Sequence, residues 1–323
     1  MTDINTPERE AYAAIILYSF LLEERTKYQE QWESFENAVI FNNRFFVKNE
    51  ILDEVELYAK KMTLHYSKDT LLYRARIFNR DPNEKFIEKY KQVLEENGEN
   101  FEEHKREFIN SEYLNFNLSM LENLTIQDDS SVEPFMRYKL EAINRCKKSP
   151  LKGYDKKESL PPPAEKCVAG RANPEFIRYL YVCEDDETPI YEVKPSIKHN
   201  ISLAKLKLKR DIKVFDLSTD YCMDGDKIQG LFSFVSEKFS IPNYNETVKY
   251  IPTQCITEKI KQLGFDGIRF NSSLNVGGKN LVLFNVNDCE VVSTSLVEIS
   301  NIKIEKRPSG IYGDVKQENR SVE

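Results

Sequence analysis

The sequence predicts an α+β fold, and three observations carry that expectation. Over the first 66 residues apolar side chains recur at three- and four-residue intervals, the period of a helix face. From about residue 160 the grain changes to short β-branched and aromatic runs between turn signals. Between them a second helical pattern, at about 81–150, interrupts the chain after one strand-like stretch. The expected order is an N-terminal helical region at 1–66, a strand-bearing domain at 67–302 with the helical insertion inside it, and a polar C-terminal tail at 303–323.

Each element has a local cause. Thr6-Pro7-Glu8 combines a capping hydroxyl, a proline suited to the first turn and an early acid, so a buried helix is expected to follow with Ile15, Tyr18 and Leu22 on one face. Val39, Ile51, Val55 and Tyr58 continue the pattern. Thr70–Phe78 reads as a strand. From Pro82 to about Leu124 the helical period returns, with Phe86, Ile87, Tyr90, Val93 and Leu94 on one face and charges opposite; Gly98 interrupts it, which suits a helical hairpin. Lys147–Pro163, rich in lysine, proline, serine and glycine, is expected to be a surface loop. Strands are expected at Tyr179–Cys183, Ile212–Leu217, Gly267–Phe270 and Asn280–Phe284. Lys205–Arg210 alternates lysine with leucine, as on the exposed face of an edge strand. One clear helix opens at Thr253-Gln254, with Ile256, Ile260 and Leu263 inward and Gly264 at the left-handed cap.

Composition narrows the function. At 323 residues the chain can bury a sizeable core. Its 46 basic and 53 acidic residues leave a net charge of −7, which disfavours direct docking on nucleic acid or an anionic membrane and suits a small ligand held in a local basic pocket. The apolar run Ala11–Leu22 is too short to span a bilayer and follows an acidic segment, so neither a membrane anchor nor an export signal is expected. Six cysteines, at 146, 167, 183, 222, 255 and 289, lack metal-ligand spacing and read as buried thiols of a cytoplasmic protein; no metal is expected. His65, His104 and His199 lie in charged or helical surroundings and support no catalytic triad. Glu184–Glu187 reads as a solvated acidic loop.

Four short motifs place polar side chains in apolar settings. In Tyr73-Arg74-Ala75-Arg76 the two arginines share one strand face, which suits a pyrophosphate because each guanidinium is a planar fork of donors; a solvent-facing strand would look the same. Gly170-Arg171-Ala172-Asn173-Pro174 is equally a turn or a ligand-lining loop. Glu192 follows the helix start Thr188-Pro189, where an acid is favoured by the helix dipole, but its apolar neighbours Ile190, Tyr191 and Val193 raise the chance that it faces a pocket. Ser272-Ser273 lies in a flexible turn, where serine is common in any case.

Taken together, these motifs resemble the RES domain family, whose members are toxins that consume NAD. The resemblance rests on the Tyr-Arg-x-Arg strand, the proline-rich approach to Gly170-Arg171-x-Asn173-Pro174, and Leu180-Tyr181 followed by Thr188-x-x-x-Glu192-Val193. It continues through Val214-x-Asp216-Leu217, Gly264-Phe265-Asp266-Gly267-Ile268, Ser272-Ser273 and the strand from Asn280. It covers roughly residues 70–80 and 160–290, and departs from the family at Pro189, Tyr191 and the helical insertion.

The resemblance implies a mixed β core like that of ADP-ribosyltransferases, binding NAD as substrate and requiring no other cofactor. It implies that the nicotinamide–ribose bond is cleaved and ADP-ribose passed to phosphate or water; the alternatives are transfer to a protein, or a binding or regulatory protein with an inert core. In the catalytic roles it would place Arg74 on phosphate oxygens, Glu192 against the developing positive charge, and Ser272 orienting Glu192 or the ribose. Tyr73, Arg76, Arg171, Asn173, Tyr181 and Ser273 would bind NAD, the tyrosines by stacking. It also implies a helix-turn-helix antitoxin as a protein partner.

Overall fold

The computed structural model describes residues 23, 25–80, 82–103, 134–148, 152–218, 227–240 and 247–303. The expected start at Thr6-Pro7-Glu8, the face bearing Ile15, Tyr18 and Leu22, and the tail beyond 303 lie outside the described residues, as do His104 and Cys222.

Helix α1 (25–37) runs into a π-helical turn at Ala38–Asn42, and α2 (Glu50–Tyr58) begins where the Asn49 side chain accepts from the Ile51 amide at 2.9 Å. There follow β1 (Thr63–Tyr66), β2 (Leu71–Ile77), α3 (Pro82–Glu96), α4 (Pro134–Lys148), β3 (Leu180–Cys183), α5 (Thr188–Glu192) and β4 (Asn200–Leu208). The remaining elements are β5 (Ile212–Asp216), α6 (Lys227–Ser240), α7 (Ile251–Gln262), β6 (Gly267–Asn271), β7 (Lys279–Leu283) and β8 (Cys289–Glu298).

The strands form one mixed sheet in the order β1-β5-β6-β7-β3-β2-β4-β8, parallel between β5 and β6 and antiparallel elsewhere. The connections force this sheet to roll. Only residues 67–70 join β1 to β2, and only 209–211 join β4 to β5, yet each pair stands five places apart in the sheet. Five strand spacings of about 4.8 Å cannot be bridged across a flat sheet by so few residues, each reaching at most about 3.6 Å. The β1–β5 edge therefore curls towards β2 and β4. Main-chain bonds between Asp69 and Leu208 (2.9 Å) and between Leu208 and Thr70 (3.0 Å) fasten the closure, and Arg210 reaches Asp266 and Asp288 at 2.7 Å each.

Alternation along the strands sends one set of side chains into the roll and the other towards the helices. Inside lie Leu72, Leu180, Leu206, Leu208, Val214 and Leu281. Outside, Phe215, Ile268 and Phe270 share a core with Trp32, Phe35 and Val55 of the N-terminal helices and with helices α6 and α7. The N-terminal helical region thus covers one face of the sheet. A separate cluster of Tyr90, Val93, Leu94 and Ala142 holds α3 against α4, and Arg145 pairs with Glu96 across it at 2.5 Å; most of the second half of the hairpin expected within 82–124 lies outside the described residues.

Several expectations are corrected. Residues 63–66 form strand β1 instead of helix, because pairing with β5 outweighs the local pattern. Lys205–Arg210 is not at an edge: β4 lies between β2 and β8, with Lys207 held by Asp69 and Glu290 at 3.2 and 3.3 Å. Lys147 and Lys148 belong to α4, and α7 opens at Ile251. Helix α6 and strand β8 were not anticipated. Cys146 and Cys255 are only half-buried. His65 is exposed on β1.

Candidate active site

The sheet splits between β2 and β3. Strand β2 pairs with β4 along its whole length but with β3 only at Tyr73 and Cys183. Where the two strands part, a cavity of about 220 Å³ opens, lined among others by Arg74, Arg171, Tyr181, Glu192, Phe270 and Asn280. Across the gap Arg74 Nη1 donates to the Tyr181 carbonyl at 2.8 Å, so a side chain takes the place of a ladder hydrogen bond. Arg74 Nε is buried without a partner, and Arg74 has no acidic partner among the described residues. Burial first, and the nearby charge of Arg76 second, push its pKa down to about 10, which still leaves it cationic at neutral pH.

Glu192 comes from the opposite wall, at the end of α5. Asp185 starts that helix: its carboxylate accepts from the Thr188 amide and hydroxyl at 2.6 Å each. Glu184 pairs with Arg269 at 2.7 Å and accepts from the Tyr66 hydroxyl. The acidic run expected to be solvated is thus half occupied in building the wall. Glu192 Oε1 accepts from Ser272 Oγ at 2.8 Å and from Asn280 Nδ2 at 2.7 Å. Ser272 Oγ in turn accepts from the Leu274 and Asn275 amides at 3.1 Å, so its own hydrogen is directed at the carboxylate. Asn275 donates to Thr188 at 2.9 Å and ties this loop to α5. Only glycine fits at 278, where a Cβ would stand 2.3 Å from Thr188 Oγ1.

The Arg171 loop is a rigid shelf. Asn173 is buried, and its Nδ2 is shared among the carbonyls of Val168, Pro174 and Ile177 at 3.0–3.1 Å. Its Oδ1 accepts from the Tyr181 hydroxyl at 2.7 Å, and that hydroxyl accepts from the Ala172 amide at 3.1 Å. Gln254 of α7 donates to the carbonyls of Gly170 and Asn173, and Thr253 to that of Arg171. Arg171, on this shelf, lines the pocket and has no acidic partner among the described residues.

The sequence-expected residues therefore divide. Arg74, Glu192, Tyr73, Arg171 and Tyr181 line one cavity, and Ser272 bonds to Glu192. Asn173 spends its amide on the shelf, and Ser273 is exposed and outside the cavity lining. Arg76 shares the face of Arg74 but turns to the Glu158 carbonyl and lies 5.2 Å from the centre of the Tyr154 ring. Asn280, Cys183 and Phe270 line the cavity without having been expected there. Asn280 was signalled by an amide leading an otherwise apolar strand, since a buried amide must find partners.

The RES domain family model matches residues 143–301. The matched segment starts inside α4 and ends just beyond β8, and it carries Arg171, Tyr181, Glu192, Ser272 and Asn280. Strand β2, with Tyr73 and Arg74, precedes the matched segment yet lies between two of its strands, β3 and β4, in the sheet. A crystal structure of the M. tuberculosis MbcT-MbcA toxin-antitoxin complex aligns at 13% identity over 41% of this chain and 73% of that chain, with a TM-score of 0.28, too slight a likeness to bear on the RES fold or its function. No curated protein matches the chain. Among the described residues no helix is long and apolar enough to cross a membrane, and no three or more His, Cys, Asp or Glu side chains are grouped to hold a metal ion.

Proposed function

We propose that this chain is an enzyme that breaks the nicotinamide–ribose bond of NAD and transfers ADP-ribose to phosphate or water. The observation that carries the reading is the meeting of two cations without acidic partners, Arg74 and Arg171, with the Glu192 carboxylate in one cavity. The RES domain match supports it, since that family acts on NAD. The cavity is smaller than the ~300–1,000 Å³ of pockets that engulf whole ligands, so it suits the reacting end of the dinucleotide, with the rest lying outward.

The roles follow from charge and reach. Arg74 and Arg171 hold phosphate oxygens with their planar donor forks. As the C1′–N bond breaks, its electron pair goes to nicotinamide, which leaves neutral and needs no proton. The ribose becomes oxocarbenium-like, and the Glu192 carboxylate stabilises that developing charge. An oxygen of phosphate or water then forms the new C1′–O bond, and a water acceptor releases its proton to solvent. Ser272 keeps Glu192 oriented; Tyr73 and Tyr181 offer ring faces to the bases. Cytoplasmic action and neutralisation by a helix-turn-helix antitoxin complete the proposal and rest on the family resemblance.

The test is to incubate the purified chain with NAD, with and without phosphate, and to follow free nicotinamide. Nicotinamide release is expected, with ADP-ribose 1″-phosphate formed when phosphate accepts. Intact NAD under both conditions, with a folded protein, overturns the reading. Label appearing on protein instead would move the acceptor to a side chain.

A further inference from the structure

Both hydrogen bonds to Glu192 fall on the same oxygen. Ser272 and Asn280 reach Oε1, and Oε2 has no partner among the described residues. Asn280 is 6% exposed, and its Oδ1 lies 3.2 Å from Cys183 Sγ. The sheet sets this contact, because Cys183 and Asn280 are register partners in the β3–β7 ladder. Resting on the functional reading above, we propose that Cys183 and Asn280 act as a positioning relay, the thiol orienting the amide and the amide anchoring Glu192 so that Oε2 alone faces the substrate.

The chemistry allows only one arrangement. A carboxylate accepts and cannot donate, so Asn280 must turn its NH₂ towards Glu192 and its oxygen towards Cys183. The thiol is then the donor. Burial, and after it the charge of Glu192, push the Cys183 pKa well above its usual value, so the proton stays on sulfur. Two neutral donors on one oxygen stop the carboxylate from rotating while leaving its charge intact, and an anchored group needs less reorganisation when charge develops in front of it. Neither Asn280 nor Cys183 is asked to touch the reacting atoms.

Two readouts separate this relay from a merely structural role. Asn280→Leu removes one of the two donors that anchor Oε1, so the Glu192 carboxylate is free to turn. In a crystal structure of this variant the carboxylate is therefore rotated from its wild-type plane or spread over two orientations, and this measurement needs no turnover. In nicotinamide release, kcat falls roughly tenfold to a hundredfold, the scale of one charge-assisted hydrogen bond, and KM changes by less than about threefold. Cys183→Ser, which keeps a donor, stays within about threefold of wild type, whereas Cys183→Ala loses part of what Asn280→Leu loses. If Asn280→Leu fails to fold, Asn280→Asp, of the same size, takes its place and turns the Glu192 carboxylate away by like-charge repulsion. A carboxylate that keeps its wild-type orientation in the folded variant overturns the relay. A turned carboxylate in a chain that releases no nicotinamide sustains the relay and removes the NAD reading instead.

Discussion

Arg74 Nη1 donates to the Tyr181 carbonyl at 2.8 Å across the gap where β2 and β3 separate. One guanidinium thereby closes the broken ladder and, through its remaining donors, faces the cavity. The split and the cation belong together: a fully paired β2–β3 ladder would leave no opening, and an apolar residue at 74 would leave the Tyr181 carbonyl without this partner.

Arg74→Lys keeps the charge but loses the planar fork. It is expected to raise KM for NAD about tenfold or more, and to lower stability by about 1–2 kcal/mol through the weakened Tyr181 bond. Steady-state kinetics and urea unfolding check both effects, and an unchanged KM contradicts the assignment of Arg74 to the phosphates.

The Arg171 shelf is built on Tyr181 and Gly170. A Cβ at position 170 would stand 2.6 Å from Asn173 Oδ1 and 2.7 Å from the Tyr181 hydroxyl, so Gly170→Ala is expected to cost about 1–3 kcal/mol of stability by overpacking. Urea unfolding measures it, and a loss below about 0.5 kcal/mol speaks against a rigid shelf.

Tyr181 also gives the shelf a pH signature. Burial foremost, partly offset by the Ala172 amide, pushes its hydroxyl up to about 12 from the ordinary value of 10.0. Between those values the unfolded chain has lost a proton that the fold still holds, so the unfolded state binds fewer protons and stability falls as pH rises through the window. Tyr181→Phe removes this component. Urea midpoints either side of about pH 10 should decline less steeply in Tyr181→Phe than in wild type, and equal slopes contradict the assignment.

Arg269 of β6 ties β5 to the residue just after β3 on the other face of the sheet, donating to Glu184 at 2.7 Å and to Asp216 at 3.0 Å. Asp216 is only 1% exposed. Arg269→Met leaves that carboxylate buried without its cation and is expected to destabilise the fold by about 3–5 kcal/mol. Thermal and denaturant unfolding test this, and a change below about 1 kcal/mol shows that the network is dispensable.

What could be read from the sequence followed locality. Strands β2, β3, β5, β6 and β7 were legible because their β-branched and aromatic runs end in turn signals, and Gly264 was legible because its left-handed conformation, with φ of 79°, favours glycine. Strand β1 was not, since its pairing with β5 depends on residues distant in sequence. The site was legible as residue types in order. Its division of labour was not: that Arg76 would turn away to Glu158, that Asn173 would serve the shelf, and that Asn280 would reach Glu192 depend on the roll and split of the sheet.

The central claim is that the Glu192 carboxylate, held at the cavity by Ser272 and Asn280, drives the loss of nicotinamide. The direct measurement is nicotinamide release from NAD by wild type and by Glu192→Gln, which removes the charge while nearly preserving shape. Release is expected from wild type, with a fall in kcat of about a hundredfold or more in a variant that melts like wild type. Equal rates in the two folded proteins would contradict it.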